Sequence, residues 1–278
     1  MPASGTIRLT RTTRFCINDP AFGDAADQLR SDPNGFAAKP SMRGLGRYYS
    51  VDVTAEGAPD PQTGYLIDIK GIDNAVRRAV VPLLEDACRQ RPADEPATLM
   101  PGLVDALAAA LPVGLHELRF NPTPYYSIAM TTTQPAVVTL RQRFDFAAAH
   151  RLHVDGLSDA ENEQMFGKCN NPSGHGHNYQ VEPAVEVPVP SGGAMALTLA
   201  DLERVTQSVV VDRFDHTNLN IDPPDFGPAG VNPTVEHIAR VCYELLDAAL
   251  RERHPEARLA SVTVWETDRT SCTYPAGG

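Results

Sequence analysis

Set beside itself at an offset of about 130 residues, the chain repeats. Arg14-Phe15 recurs as Arg143-Phe144, and Gly44-Leu45-Gly46-Arg47-Tyr48-Tyr49 recurs as Gly174-His175-Gly176-His177-Asn178-Tyr179. Gly64 recurs as Gly193, and Val80-Val81 as Val210-Val211. Glycines and apolar residues serve the backbone and the core, so their persistence predicts one fold built twice, in domains 1–132 and 137–278. The chemistry does not persist. Ala21 stands opposite His150, Leu45 opposite His175, Arg47 opposite His177, and Lys39 opposite Cys169. The first copy is therefore expected to be a scaffold.

The hydrophobic pattern supplies the elements. Alternation marks strands at 6–18 and 44–57, with the turn DPQTG between the second strand and a helix. Ile72, Val76, Val80 and Leu83 keep helical spacing, as do Leu99, Leu103, Leu107 and Leu111. Two strands follow within 115–132, giving the order β-β-α-α-β-β and an α+β class. The second half repeats it. Strands are expected at 138–150 and at 175–187, the latter interrupted by Pro183. Helices follow at 197–214, capped by Thr198 and Asp201, and after Thr234, and two strands close the chain.

A chain of 278 residues suits two domains of ordinary size. A net charge of −11 argues against a nucleic-acid surface, which needs clustered Lys and Arg. No apolar run is long enough to cross a bilayer, and the N-terminus lacks the apolar core of a secretory signal. Five scattered cysteines without a CxxC pair predict no disulfide framework and a cytoplasmic protein.

The candidate chemistry lies between Phe144 and Tyr179. On a strand, side chains two apart share a face, so His175 and His177 aim two imidazoles at one point. His150, on the neighbouring strand, completes a tripod. Three nitrogen ligands with an open position form the layout of a catalytic zinc site, and imidazole suits zinc. Cys169 has two readings: a buried small apolar residue, or an exposed thiol whose pKa is lowered by an electropositive loop containing Lys168. Asp215-His216 is either a carboxylate–imidazole relay or a polar loop end. Glu266, in an apolar strand, either meets a ligand's N–H donor or faces outward.

The second half resembles the 6-pyruvoyl-tetrahydropterin synthase and 6-carboxy-tetrahydropterin synthase family. FDFAAAHRL, LSDAENEQMFGKCNNPSGHGHNY, DHTNLN, PTVE and VWETD carry the resemblance, in that order and spacing. It implies two tandem T-folds, each an antiparallel sheet with two helices on one face. It implies that His150, His175 and His177 bind Zn2+ and that Cys169 accepts a proton. Asp215 and His216 then form a relay, Glu266 holds the pterin ring, and Thr234 and Glu236 fall at further pterin contacts. The implied reaction is conversion of 7,8-dihydroneopterin triphosphate to 6-pyruvoyl-tetrahydropterin with loss of triphosphate, without nucleotide or flavin. Arg151 and Lys168 are expected to face the triphosphate. The carboxy enzyme of queuosine biosynthesis, which releases acetaldehyde, is the alternative, and a pterin-binding protein without turnover is another. The KCNNPSGHGHNY wording favours the pyruvoyl type. The second copy departs from the family in carrying VPVPSGG where the first keeps DPQTG.

The resemblance also implies rings of three T-folds with the cysteine on one unit and the Asp-His pair on its neighbour. The offset puts Glu85-Asp86 of the first copy opposite Asp215-His216. Alternating copies would then leave every relay incomplete, so a homotrimer with second copies meeting second copies is expected.

Overall fold

The structure, a computed structural model of the chain, describes residues 5–19, 21, 42–227 and 230–275; Lys39 lies outside them. The chain divides into two compact units, Met1–Thr139 with Pro188–Met195, and Leu140–Val187 with Ala196–Gly278.

In the first unit, β1 (Ile7–Ile17) pairs with β2 (Arg47–Gly57) without a bulge, from Ile7↔Gly57 to Ile17↔Arg47. Next come a helix in two pieces, α1 (Ile69–Ala75) and α2 (Val81–Gln90), and then α3 (Met100–Ala110). β3 (Gly114–Asn121) and β4 (Tyr126–Thr131) complete an antiparallel sheet in the order β1–β2–β3–β4. Alternation explains its two faces. Phe15, Val51, Val53, Leu118 and Ile128 are buried with Ile72, Val80, Leu103 and Leu107 from the helices. The residues between them face outward and pair with each other: Thr10 with Thr54 (2.9 Å), and Thr12 with Asp52 (2.6 Å). The DPQTG turn forms as expected. Asp60 accepts from the amides of Gln62 and Thr63, and Gly64 takes a φ of 74°.

β5 (Val137–Gln142) begins in the first unit and ends in the second, leading into β6 (Phe144–His150), and a helix α4 (Asp159–Phe166) precedes β7 (His175–Pro188). Then come α5 (Leu199–Thr206), the single turn α6 (Asp212–Phe214), and β8 (Thr217–Asn218). The 19-residue α7 (Val235–Arg253), β9 (Arg258–Thr267) and β10 (Thr270–Tyr274) close the unit. β6 pairs with β7, β7 with β9, and β9 with β10, all antiparallel, while β8 joins β6 in parallel. Phe146, Tyr179, Val181, Val262 and Val264 face a core filled by Leu202, Val205, Phe214, Ile238 and Leu246.

Several elements depart from expectation. Pro183 does not interrupt β7. It sits opposite Val262, next to a register shift between Ala184 and Val185 that absorbs the irregularity. The single strand expected over 138–150 breaks at Arg143 into β5 and β6. The helices expected from the spacing of Ile72 to Leu83 and at 197–214 each contain a five-residue π-helical stretch, Val76–Val80 and Gln207–Val211. No described helix is long and apolar enough to cross a membrane.

Candidate metal centre and the cleft beside it

The register of β6 on β7 builds the centre. His150 lies opposite His175, Ala148 opposite His177, and Phe146 opposite Tyr179, so these side chains share one face. Phe146 stacks on Tyr179 (5.1 Å between centroids), forming an apolar floor beneath the imidazoles. The three histidine rings stand 4.6, 5.2 and 4.8 Å apart, centroid to centroid. Gly174 turns the chain into β7 with a φ of 69°, and a Cβ there would lie 3.1 Å from the His150 carbonyl oxygen. Only glycine suits both conditions.

The tautomer of His150 follows from its partners. Its Nδ1 lies 2.8 Å from the Pro233 carbonyl oxygen, which only accepts, so Nδ1 carries the proton. The lone pair of Nε2 then points to Nε2 of His175, 3.2 Å away. Two ligands of a tetrahedral zinc at its usual nitrogen distance would stand about 3.3–3.4 Å apart. A proton shared by His150 and His175 leaves the third group unsatisfied, because Nε2 of His177 is buried without a hydrogen-bond partner. A cation satisfies all three. Donor atoms of the three residues lie within 4.8 Å of one another. An imidazole whose second nitrogen donates to a backbone carbonyl is the usual arrangement of a metal ligand. The residues fit a metal.

Oε1 of Glu266 approaches the same point, 3.5 Å from Nε2 of His150 and 3.8 Å from Nε2 of His177. Burial drives the pKa of His150 down to about 4 and lowers that of His175, with neighbouring imidazoles adding to the effect. A folded pKa below the unfolded value near 6.5 makes the neutral form the stabilising one. In chelator-treated protein, stability is therefore expected to be complete above about pH 6.5 and to fall as the pH drops toward 4. Urea midpoints measured across that range check this, and a flat profile contradicts it.

Cys169 sits on a 3-10 turn, Gly167–Asn170, that follows α4. Ser158 and Glu161 cap α4 reciprocally. The fully buried Asn162 ties the helix to its approach loop through the carbonyls of Val154, Leu157 and Ser158. The turn is fastened to β6's end by the Leu152 amide, which donates to the Cys169 carbonyl (2.8 Å). The thiol is half-buried, and without a metal it is pushed up, first by burial and then by the charge of Glu266. This corrects the reading of a simply electropositive loop, because β9 delivers a carboxylate that the local sequence does not show.

A cleft of about 760 Å³ opens beside the tripod, lined by His175, Arg151 and Lys168, with Asp159 and Glu163 also on its wall. Arg151 is held by Asn170, whose carbonyl and side-chain oxygens lie 3.1 and 3.2 Å from its Nε.

The remaining predicted residues lie elsewhere. Asp215 accepts from the Ala147 amide (2.8 Å) and from Nδ1 of His216 (2.7 Å), and these bonds hold its carboxyl below the usual range. The His216 side chain is 84% exposed. It lines a depression with Ala147, Ala148, Ala149, Gly176 and Asn178 that also reaches His177 of the tripod. Among the described residues the His216 side chain is bonded to Asp215 and not to Cys169. Thr234 caps α7 by accepting from the His237 amide. Glu236 is exposed, and its charge adds to the effect of burial in raising the pKa of Cys272. Glu85 and Asp86 lie within α2, paired with Arg89 and Arg91.

Sequence reasoning missed the Pro233 carbonyl and the Tyr179 hydroxyl, which lies 3.3 Å from Nδ1 of His150. It also missed Asn220, whose amide clamps both backbone groups of Arg151 (2.7 and 2.9 Å). The asparagines of DHTNLN were in view, but nothing local says which strand they grip.

Comparison with known proteins places the matches on this second unit. Residues 139–276 match the family model described as 6-pyruvoyl tetrahydropterin synthase. The human 6-pyruvoyl tetrahydrobiopterin synthase is 40% identical over 133 residues, 48% of this chain and 88% of that protein. A 6-carboxy-5,6,7,8-tetrahydropterin synthase of Haemophilus influenzae is 27% identical, over 49% of this chain and 96% of its own length. Among solved structures, the Caenorhabditis elegans 6-pyruvoyl tetrahydropterin synthase aligns with a TM-score of 0.45 and 38% identity, covering 51% of this chain and 96% of that one.

Proposed function

This chain belongs to the 6-pyruvoyl tetrahydropterin synthase family, and from that premise we propose that its second unit is a zinc-dependent lyase. It converts 7,8-dihydroneopterin triphosphate to 6-pyruvoyl-tetrahydropterin, releasing triphosphate. The observation that carries this reading is the convergence of ring nitrogens from three histidines beside a cleft carrying Arg151 and Lys168. Three imidazoles favour zinc over the oxygen-seeking Mg2+ and Ca2+. When bound, the metal polarises the hydroxyls of the substrate side chain and makes the adjoining C–H groups more acidic.

The chain's own residues do the rest. His150, fixed by Pro233, and His175 and His177, fixed by strand register, orient the site. Cys169 as thiolate takes a proton from the side chain, and a positive charge at the tripod offsets the Glu266 carboxylate that otherwise disfavours the thiolate. Glu266 accepts hydrogen bonds from the pterin ring. Asp215 holds the imidazole of His216 through Nδ1, leaving Nε2 to transfer the second proton. Because His216 is exposed and bonded to Asp215 rather than to its own Cys169, that proton transfer is assigned to the site of a neighbouring chain, in a homotrimer. Thr234 shapes the site as a helix cap, and Glu236 stands exposed in the first turn of the same helix.

The first unit is proposed to be a second, metal-free T-fold arising by duplication. Two observations support this. The matched glycines share left-handed backbones, Gly44 with Gly174 and Gly64 with Gly193. Each unit also carries one π-helical stretch at corresponding positions.

Incubating the zinc-loaded protein with dihydroneopterin triphosphate and identifying products by mass spectrometry tests the function. 6-Pyruvoyl-tetrahydropterin and triphosphate are expected. Acetaldehyde with a 6-carboxy product would assign the carboxy activity, and no turnover would leave a pterin-binding protein. Reversing both charges, Arg151→Glu with Lys168→Glu, is expected to raise KM about tenfold or more per charge, with a smaller change in kcat. An unchanged KM removes both residues from triphosphate binding.

A further inference from the structure

The first unit lacks the tripod, yet it contains a cavity of about 90 Å³ between the end of α2 and the inner face of β2 and β3. That is several times the liquid volume of a water molecule, about 30 Å³. Leu84, Leu99 and Phe120 form apolar walls, and Arg47, Tyr49 and Cys88 supply the polar groups. The Tyr49 ring is fixed edge-on against Phe120 (5.3 Å, 65°), and its hydroxyl lies 3.7 Å from Sγ of Cys88. At the rim, Arg91 is engaged by Asp94 (3.2 Å) and Asp86 (3.6 Å). Arg47 differs. Among the described residues its electrostatic partners are the Cys88 thiol and the Tyr49 hydroxyl, with no carboxylate.

An exposed guanidinium paired with no carboxylate among the described residues and a phenolic hydroxyl, beside apolar walls in a small space, make a recognition set. The guanidinium matches the two oxygens of a planar carboxylate, the hydroxyl donates a further hydrogen bond, and the walls take a short hydrocarbon end. We propose that this cavity is a binding site for small monocarboxylates, with Arg47 and Tyr49 holding the carboxylate and Leu84, Leu99 and Phe120 holding the apolar end. Cys88 lies beside the bound carboxylate, so a carboxylate-bearing electrophile is delivered to its sulfur. With iodoacetate, the thiol proton leaves to solvent, an S–C bond forms, and the C–I bond breaks with iodide taking the electron pair.

The test uses the full chain and does not depend on any pterin activity. Iodoacetate and iodoacetamide are applied separately, and peptide mass spectrometry reads the alkylation rate at each cysteine. The ratio of the iodoacetate to the iodoacetamide rate is expected to be about five-fold higher at Cys88 than at Cys16, the upper range for a solvent-facing ion pair. Arg47→Gln should bring the two ratios together, and Arg47→Lys should retain part of the difference. In the unsubstituted chain, millimolar propionate should slow iodoacetamide at Cys88 and not at Cys16. Equal ratios at the two thiols, a preference that survives Arg47→Gln, no protection by propionate, or no alkylation of Cys88 by either reagent would each overturn the proposal.

Discussion

Replacing His177 with alanine is expected to remove the bound metal and lower turnover about a thousandfold, the effect of losing several kcal/mol of charge stabilisation at the reacting carbons. His177 is the informative member of the tripod. His150 is fully buried and hydrogen-bonded to Pro233, so its removal also opens a hole and orphans a carbonyl. His177 is half-buried on β7, its Nε2 has no hydrogen-bond partner, and alanine already occupies the cross-strand position at Ala148. The fold should therefore survive. Metal content per chain, circular dichroism and kcat measured on the same preparation separate the outcomes. A variant retaining one metal per chain and normal turnover would sink the assignment of the tripod. Loss of metal with turnover intact would keep the binding site and remove the metal from the chemistry.

The tripod was legible because it depends on two short-range rules. Strand period brings His175 and His177 to one face, and an antiparallel neighbour brings His150 opposite. What surrounds it depends on long-range packing. Pro233 reaches His150 across 83 positions, and Glu266 arrives on β9, so neither contact has a local signature. The raised pKa of Cys169 follows from that arrival and could not be inferred from Lys168 and its neighbours.

The fold divides the same way. Alternating and helical periods located most long elements, and the Thr198–Asp201 and Thr234 caps formed where their side chains predict. α4 was missed because its residues DAENEQMF carry no apolar stripe, although Ser158 and Glu161 spell a capping box. β8, two residues long, is held by bonds of Asp215 and His216 to Ala147 and of Leu219 to Ala149, and no pattern of two residues announces a strand. The π-helical stretches have apolar residues at ordinary helical spacing and leave no mark in composition.

Mixing two inactive chains is expected to restore activity. Cys169→Ala and His216→Ala chains should each have little turnover alone. The reason to expect rescue is geometric. His216 lines a depression with Ala147, Ala149, Asn178 and the edge of the tripod at His177, and its side chain is bonded to Asp215 rather than to Cys169. A side chain so exposed, and without a contact to its own Cys169, is available to enter the cleft of another copy. Its positive φ of 58° and 84% exposed side chain agree with a group presented outward, and Asp215 keeps its Nδ1 engaged so that Nε2 is the atom on offer. If each site takes its cysteine from one chain and its histidine from the next, random assortment at equal ratio leaves about one site in four with both groups intact. Recovery near a quarter of unsubstituted turnover, after co-expression or joint refolding, is the expected reading. The fraction is the same for any closed ring, so it tests sharing itself, while light scattering tests the trimer. Zero recovery with mixed oligomers demonstrably formed would mean that Cys169 and His216 serve one chain, and the exposed pair would then need to move to reach its own tripod.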